Sequence, residues 1–159
     1  MAPSARLDWS PLLHSLQQAA QLTHQLLDML AREHDHLVQR DYAAFEQLLA
    51  GKTKVLRDLQ SNTEQRHAWL QAQGMADDTA ALARAEREAP ELAHTWHQLA
   101  DHWRQCQHNS QVNDQVAQRT RTVVGHLLDV LSGNAGQGST YDGKGSTQRV
   151  QSARTITSA

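Results

Sequence analysis

The stretch Pro90–Leu131, PELAHTWHQLADHWRQCQHNSQVNDQVAQRTRTVVGHLLDVL, decides the fold. At heptad spacing it gives Leu92, Trp96, Leu99, Trp103, Cys106, Ser110, Asn113, Ala117, Thr120, Val124, Leu127 and Leu131. The steps alternate four and three without a slip, which marks the seam of a long helix packed against other helices. At 1.5 Å per residue such a helix is about 63 Å long. The seam is aromatic and aliphatic at its start, small or polar in the middle, and aliphatic again at its end. Pro90 suits a first helical turn, where its missing N–H would be unpaired anyway. Gly133 stands just past the last seam Leu, where a helix stop is expected.

Two more helical patterns precede it. Leu12, Leu16, Ala19, Thr23, Leu26, Leu30, Glu33 and Leu37 form a first seam, with Ser10-Pro11 expected to cap it. Arg40-Asp41 reads as a turn, with Asp41 capping the next helix. That helix carries Phe45, Leu48, Lys52, Val55, Leu59, Asn62, Arg66 and Trp69, widened by Leu49, Leu56 and Leu70. Gly51 inside it costs about 1 kcal/mol relative to Ala, so a kink is admissible there. Gly74 is a stop signal, and Asp77 is placed to cap a short Ala-rich connector helix. The expected fold is all-α: an elongated antiparallel three-helix bundle over 1–131, with helices about 11–39, 42–72 and 90–131. A short helix at about 78–85 joins the second and third, and a flexible partner-binding tail covers 132–159.

Composition narrows the function. The chain has 159 residues, is 39% hydrophobic and carries a formal net charge of -2, which fits one domain with thin helical seams. Lys144, Arg149 and Arg154 against Asp142 give the tail +2, leaving -4 on the body. No basic footprint of a nucleic-acid binder is present. Cys106 is the single cysteine, so no internal disulfide forms, and on the seam it reads as a small apolar core residue. Met1 to Ser10 lacks a signal-peptide pattern and no apolar run is long enough to span a bilayer, so the expectation is a cytoplasmic protein without membrane insertion.

No catalytic grouping emerges. Glu33-x-x-His36 and Glu91-x-x-His94 have the spacing used by di-iron carboxylate bundles, but such a site needs four ligand-bearing helices facing one interior. His34, His97, His102, His108 and His126 read as solvated helix-face residues. Gly143-Lys144-Gly145-Ser146 lacks the strand and first glycine of a phosphate-binding loop. The expectation is a binding protein, not an enzyme, with no metal and no cofactor. A metal-binding bundle enzyme is the reading that metal analysis would test.

The polar middle of the long helix, with Asn113 on the seam, admits two readings. A seam Asn fixes register at a cost in stability. Alternatively the bundle is loosely packed toward its C-terminal end, where Val124, Leu127 and Leu131 are shared with a ligand helix. The tail holds five of the eight glycines and few apolar residues, a composition that buries too little surface to offset its ordering entropy. Within it Val150, Ala153 and Ile156 or Thr157 recur at helical spacing, enough for one weak amphipathic helix on a partner.

Several features in order carry a family resemblance. They are Arg40-Asp41-Tyr42 with Phe45 and Leu48-Leu49, and Lys52 with Val55-Leu56. Cys106, Asn109, Asn113 and Arg119 follow, ahead of Leu127-Leu128 and Leu131-Ser132-Gly133. Last come Tyr141-Asp142-Gly143 and the small-residue run Ala153 to Ala159. In this the chain resembles the FlgN-type flagellar export chaperones. The resemblance implies a helical cytoplasmic type III export chaperone that binds the hook–filament junction proteins FlgK and FlgL. It would prevent their premature assembly and deliver them to the export gate. It implies substrate contact through the C-terminal part, with Val150 and Ile156 as candidates, and docking of Tyr141 to the export-gate protein FlhA. The alternative is a structural coiled-coil adaptor that self-associates as a homodimer through the long helix.

Overall fold

The computed structural model describes residues 7–132. It contains α1 (Ser10–Gln39), α2 (Tyr42–Ala72), α3 (Asp78–Glu88) and α4 (Pro90–Leu131). Among the described residues there is no strand. The chain divides into two compact units, Met1–Gln118 and Arg119–Ala159, with the boundary inside α4.

Local chemistry sets the helix ends. α1 begins at Ser10, one residue before its proline, and the cap position falls to Trp9, which makes no side-chain cap bond. Ser10 is therefore not the cap. Asp8 does that work from outside, its Oδ1 accepting the Ser10 N–H at 3.0 Å. The Ser10 hydroxyl and then its backbone N–H hold the Asp8 carboxyl below the usual carboxylate range. α1 ends on Arg40 in the left-handed region at φ 59°, with Asp41 N–H bonded back to His36 O at 2.9 Å. Asp41 then caps α2 by accepting from Ala44 N–H at 3.1 Å, and Asp77 caps α3 through Ala80 N–H at 2.8 Å. Gly74, at φ 73°, closes α2 as Met75 N–H reaches back to Leu70 O at 3.0 Å.

In the first unit the helices pack through two apolar clusters. One gathers Leu12 and Leu16 of α1, Leu70 of α2, Ala81 and Ala85 of α3, and Leu92, Ala93 and Trp96 of α4. The short connector helix is thus part of the core, to which it gives two fully buried alanines. The other cluster holds Leu26, Leu30, Val55 and Cys106. α1 and α2 are antiparallel, since Asn62 bonds Ser15 and Lys52 bonds Glu33. α4 runs parallel to α1: Cys106 lies against Thr23 and Asn113 against Leu30. α2 is unbroken at Gly51. A Cβ there would lie 3.2 Å from the Met29 Cε, the far end of that side chain, which would have to give by a few tenths of an ångström.

Every residue of the predicted α1 seam is buried: Leu12, Leu16, Ala19, Thr23, Leu26, Leu30, Glu33 and Leu37. The α4 seam holds less well. Leu92, Trp96, Cys106 and Asn113 are buried, joined by Ala93, whereas Trp103 is 40% exposed. Leu49 and Leu56, expected to widen the α2 stripe, are also exposed.

Leu16→Ala removes a fully buried side chain from the larger cluster and is expected to destabilise the fold by about 3 kcal/mol, within the range for core Leu truncation. Urea titration followed by circular dichroism measures this. Arg40→Gly relieves the left-handed strain and is expected to raise stability by roughly 0.5–1 kcal/mol in the same assay.

Candidate functional site

The last turns of α4 carry the feature most out of place in a folded protein. From Arg121 to Ser132 every residue is exposed, and six of them are large and apolar. Val123, Val124, Leu127, Leu128, Val130 and Leu131 range from 47% to 80% exposed. Their spacing places Val124, Leu127, Leu128 and Leu131 in one stripe, with Val123 and Val130 one heptad apart beside it. The sequence had marked Val124, Leu127 and Leu131 as residues to be shared with a ligand. It missed Val123, Leu128 and Val130, which a helical wheel of these two turns brings to the same side. Val150, Ala153, Ile156 and Tyr141 lie outside the described residues.

Elsewhere the polar side chains are mostly committed to structure. Glu33 is buried and takes Lys52 Nζ on both carboxylate oxygens, at 2.8 and 2.9 Å. Asn113 Nδ2 donates to Leu30 O and to Glu33 Oε2, each at 2.9 Å. With its nitrogen so occupied, the Asn113 carbonyl oxygen is the acceptor for His34 Nδ1 at 3.1 Å, which fixes the proton on that ring nitrogen. This layer joins α1, α2 and α4. A second polar point is Asn62, whose Nδ2 donates to Ser15 O and Gln18 Oε1 and whose oxygen accepts from Ser15 Oγ. Below them Arg66 faces Asp78 of α3 at 3.6 Å.

Two histidines expected on the solvated surface are not there. His34 is half-buried in the polar layer. His102 is half-buried against His24, with ring centroids 4.5 Å apart. Of the two Glu-x-x-His pairs, Glu33 is taken by Lys52 and Asn113, while Glu91 and His94 are exposed. Among the described residues no group of three or more His, Cys, Asp or Glu side chains is placed to hold a metal ion.

Cys106 is buried on α4, its S–H directed at Thr23 O at 3.7 Å. Desolvation pushes its thiol up to about 11. A thiol so placed is a packing group rather than a nucleophile. A cavity of about 540 Å3 opens between Leu56 and Leu59 of α2 and Trp96, Leu99 and Trp103 of α4. No described helix is long and apolar enough to cross a membrane.

An open apolar helix face is a surface that a helix of another protein can cover. The FlgN protein family model matches residues 10–149, and the chain belongs to that family. Membership implies a flagellar export chaperone that binds flagellar proteins. No curated protein and no solved structure matches the chain.

The raised thiol gives a pH test. Between about pH 9 and 11 the unfolded chain releases the Cys106 proton while the folded chain keeps it, so the unfolded state binds fewer protons. The contribution of this group to stability is therefore full below pH 9 and lost as pH rises toward 11. Cys106→Ala is expected to flatten the alkaline fall in urea stability relative to the parent chain.

Proposed function

We propose that this chain is the cytoplasmic export chaperone for the hook–filament junction proteins FlgK and FlgL, holding them unassembled and delivering them to the export gate. The observation that carries the reading is the exposed stripe of α4, six large apolar side chains within nine residues. A patch of this kind on a soluble surface marks an interaction site. An amphipathic client helix laid along it buries Val124, Leu127 and Leu131 and removes the same hazard from the client.

The sequence supplies the rest of the proposal. Residues 132–159 form a partner-binding segment beyond the helical part at 1–131. Val150, Ala153 and Ile156 add apolar contacts to the client, and Tyr141 docks to FlhA. The chemistry required is association and release, so neither metal nor cofactor takes part. Moderate affinity suits the task, since a client bound too tightly would not leave at the gate. Ordering a chain segment on binding is one way to keep affinity moderate.

Calorimetric titration with FlgK tests the proposal. The full chain is expected to bind. Leu127→Asp is expected to weaken binding at least tenfold, about 1.4 kcal/mol, because a charge replaces an anchor in the buried stripe. A chain ending at Leu131 is expected to lose most of the affinity. Tyr141→Ala is expected to keep FlgK and lose FlhA. Binding kept in full without residues 132–159 would move recognition onto α4 alone. Absence of binding to both FlgK and FlgL, with self-association on sedimentation, would favour the homodimeric adaptor.

A further inference from the structure

Beside its buried residues Val55, Asn62, Arg66 and Leu70, α2 carries a second seam. Tyr42, Phe45, Leu49, Lys52, Leu56, Leu59 and Thr63 follow one another at alternating steps of three and four. They share one face along about 32 Å of helix. Lys52 is held by Glu33, and Thr63 spends its hydroxyl on Leu59 O at 3.0 Å. Phe45 and Leu59 are half-buried, whereas Tyr42, Leu49 and Leu56 are from 40% to 48% exposed. At its C-terminal end this seam runs into the 540 Å3 cavity. Leu56, Leu59 and Thr63 line it from α2, Ala100 and Trp103 from α4, and the buried Ala19 and Thr23 from α1. Three helices thus border one furrow, where a four-helix bundle would hold its fourth member.

The cavity also carries charge. Its ionisable liners are Glu64, Arg66 and Asp78, two carboxylates against one guanidinium. Arg66 is buried and faces Asp78 at 3.6 Å. Glu64 is exposed and, among the described residues, takes the neutral Gln60 amide at 3.0 Å rather than a cation. Asp78 Oδ1 is buried without a hydrogen bond, with His67 Nε2 at 3.5 Å. This end of the furrow is one negative charge in excess.

We propose that the second seam of α2, with the cavity at its end, is a docking site for one amphipathic helix of the exported client. That helix presents large apolar side chains at heptad spacing and sets a Lys or Arg against Glu64. The spacing of the seam selects a helix, since a helix alone repeats its side chains at that period. The cavity has the volume of a ligand pocket and receives the bulkiest of the apolar residues. The excess carboxylate selects a basic residue at that end. The client helix is added to the three already present, and none of them has to leave. The proposal rests on the export-chaperone reading for the source of the helix. It adds a second contact surface, within the first unit, to the exposed stripe of α4.

Fluorine NMR of the full chain carrying fluorotryptophan reads the site directly. Trp103 lines the cavity, whereas Trp9 and Trp69 lie against each other outside its lining, with ring centroids 6.2 Å apart. Trp103→Phe assigns the resonance. Saturating FlgK is expected to shift the Trp103 signal and to leave those of Trp9 and Trp69 in place. Leu56→Lys and Ala100→Lys put a charge at exposed positions of the furrow. Each is expected to weaken FlgK binding in calorimetry about fivefold or more, with the urea midpoint unchanged. Glu64→Lys is expected to weaken it about threefold, a difference lost near ~1 M salt. An unmoved Trp103 signal at saturation, or parent affinity in both Leu56→Lys and Ala100→Lys, would overturn the docking site and leave the chaperone reading standing. Parent affinity in Glu64→Lys would overturn the basic residue. A Trp103 signal that moves with the concentration of this chain alone would assign the furrow to a second copy. One that moves in Ile156→Asp without FlgK would assign it to this chain's own residues 132–159, and either result overturns the client helix as occupant. No FlgK binding to the parent chain would overturn both readings.

Discussion

The packing of the first unit depends on one buried polar layer, Glu33 with Lys52 and Asn113. The carboxylate of α1 takes the ammonium of α2 on both oxygens and the amide of α4 on one of them. Glu33 keeps one partner when either Lys52 or Asn113 is lost, and Asn113 keeps Leu30 O when Glu33 is lost, while the Lys52 side chain is 18% exposed and reaches water. A polar contact of this kind adds little net stability over a well-packed apolar one. The layer therefore acts on specificity more than on gross stability. An apolar seam alone would let α4 slide by a heptad along α1 with little change in buried area. A slide of that size would take Asn113 away from Glu33 and from Leu30 O, so the register in which all three meet is favoured. The Asn62 bonds to Ser15 and Gln18 do the same for α1 and α2 further along.

These polar points explain which part of the fold was readable from the sequence. The α1 seam was legible because burial follows the heptad even where the residue is Thr23 or Glu33. Thr23 spends its hydroxyl on Ala19 O inside its own helix, so it behaves as an apolar residue toward its neighbours. The helix caps at Asp41 and Asp77 were legible because their bonds span three residues. Partners far apart in the chain were not. Glu33 meets Lys52 and Asn113 only once three helices are in register, and no local pattern announces that meeting. For the same reason His34 and His102 looked like surface residues. The polar middle of α4 was visible as an oddity, and its meaning had to wait for the residues opposite.

The candidate site shows the converse limit. Heptad spacing told that Val124, Leu127 and Leu131 share a face, but spacing is the same for a face that is covered and one that is open. Only exposure separates the two, and it shows the face open at all six apolar positions from Val123 to Leu131. Trp103 makes a similar point: its place on the seam was read correctly as a helical position, yet its ring borders a cavity instead of filling a core.

The distribution of apolar side chains along α4 then carries a physical consequence. Leu92, Ala93 and Trp96 are buried at its start, whereas Val123 to Leu131 are open at its end. A helix can leave its last turns apolar and exposed only if the rest of the molecule is stable without them. Among the described residues the two apolar clusters of the first unit take in none beyond Cys106. The apolar area these residues leave exposed is available for association, at about 25 cal/mol for each square ångström covered. A charged or polar end to α4 would keep the fold equally well and would aggregate less. The cost of keeping it apolar is a standing tendency to self-associate, and the benefit is a surface that a sticky helix from another protein can cover.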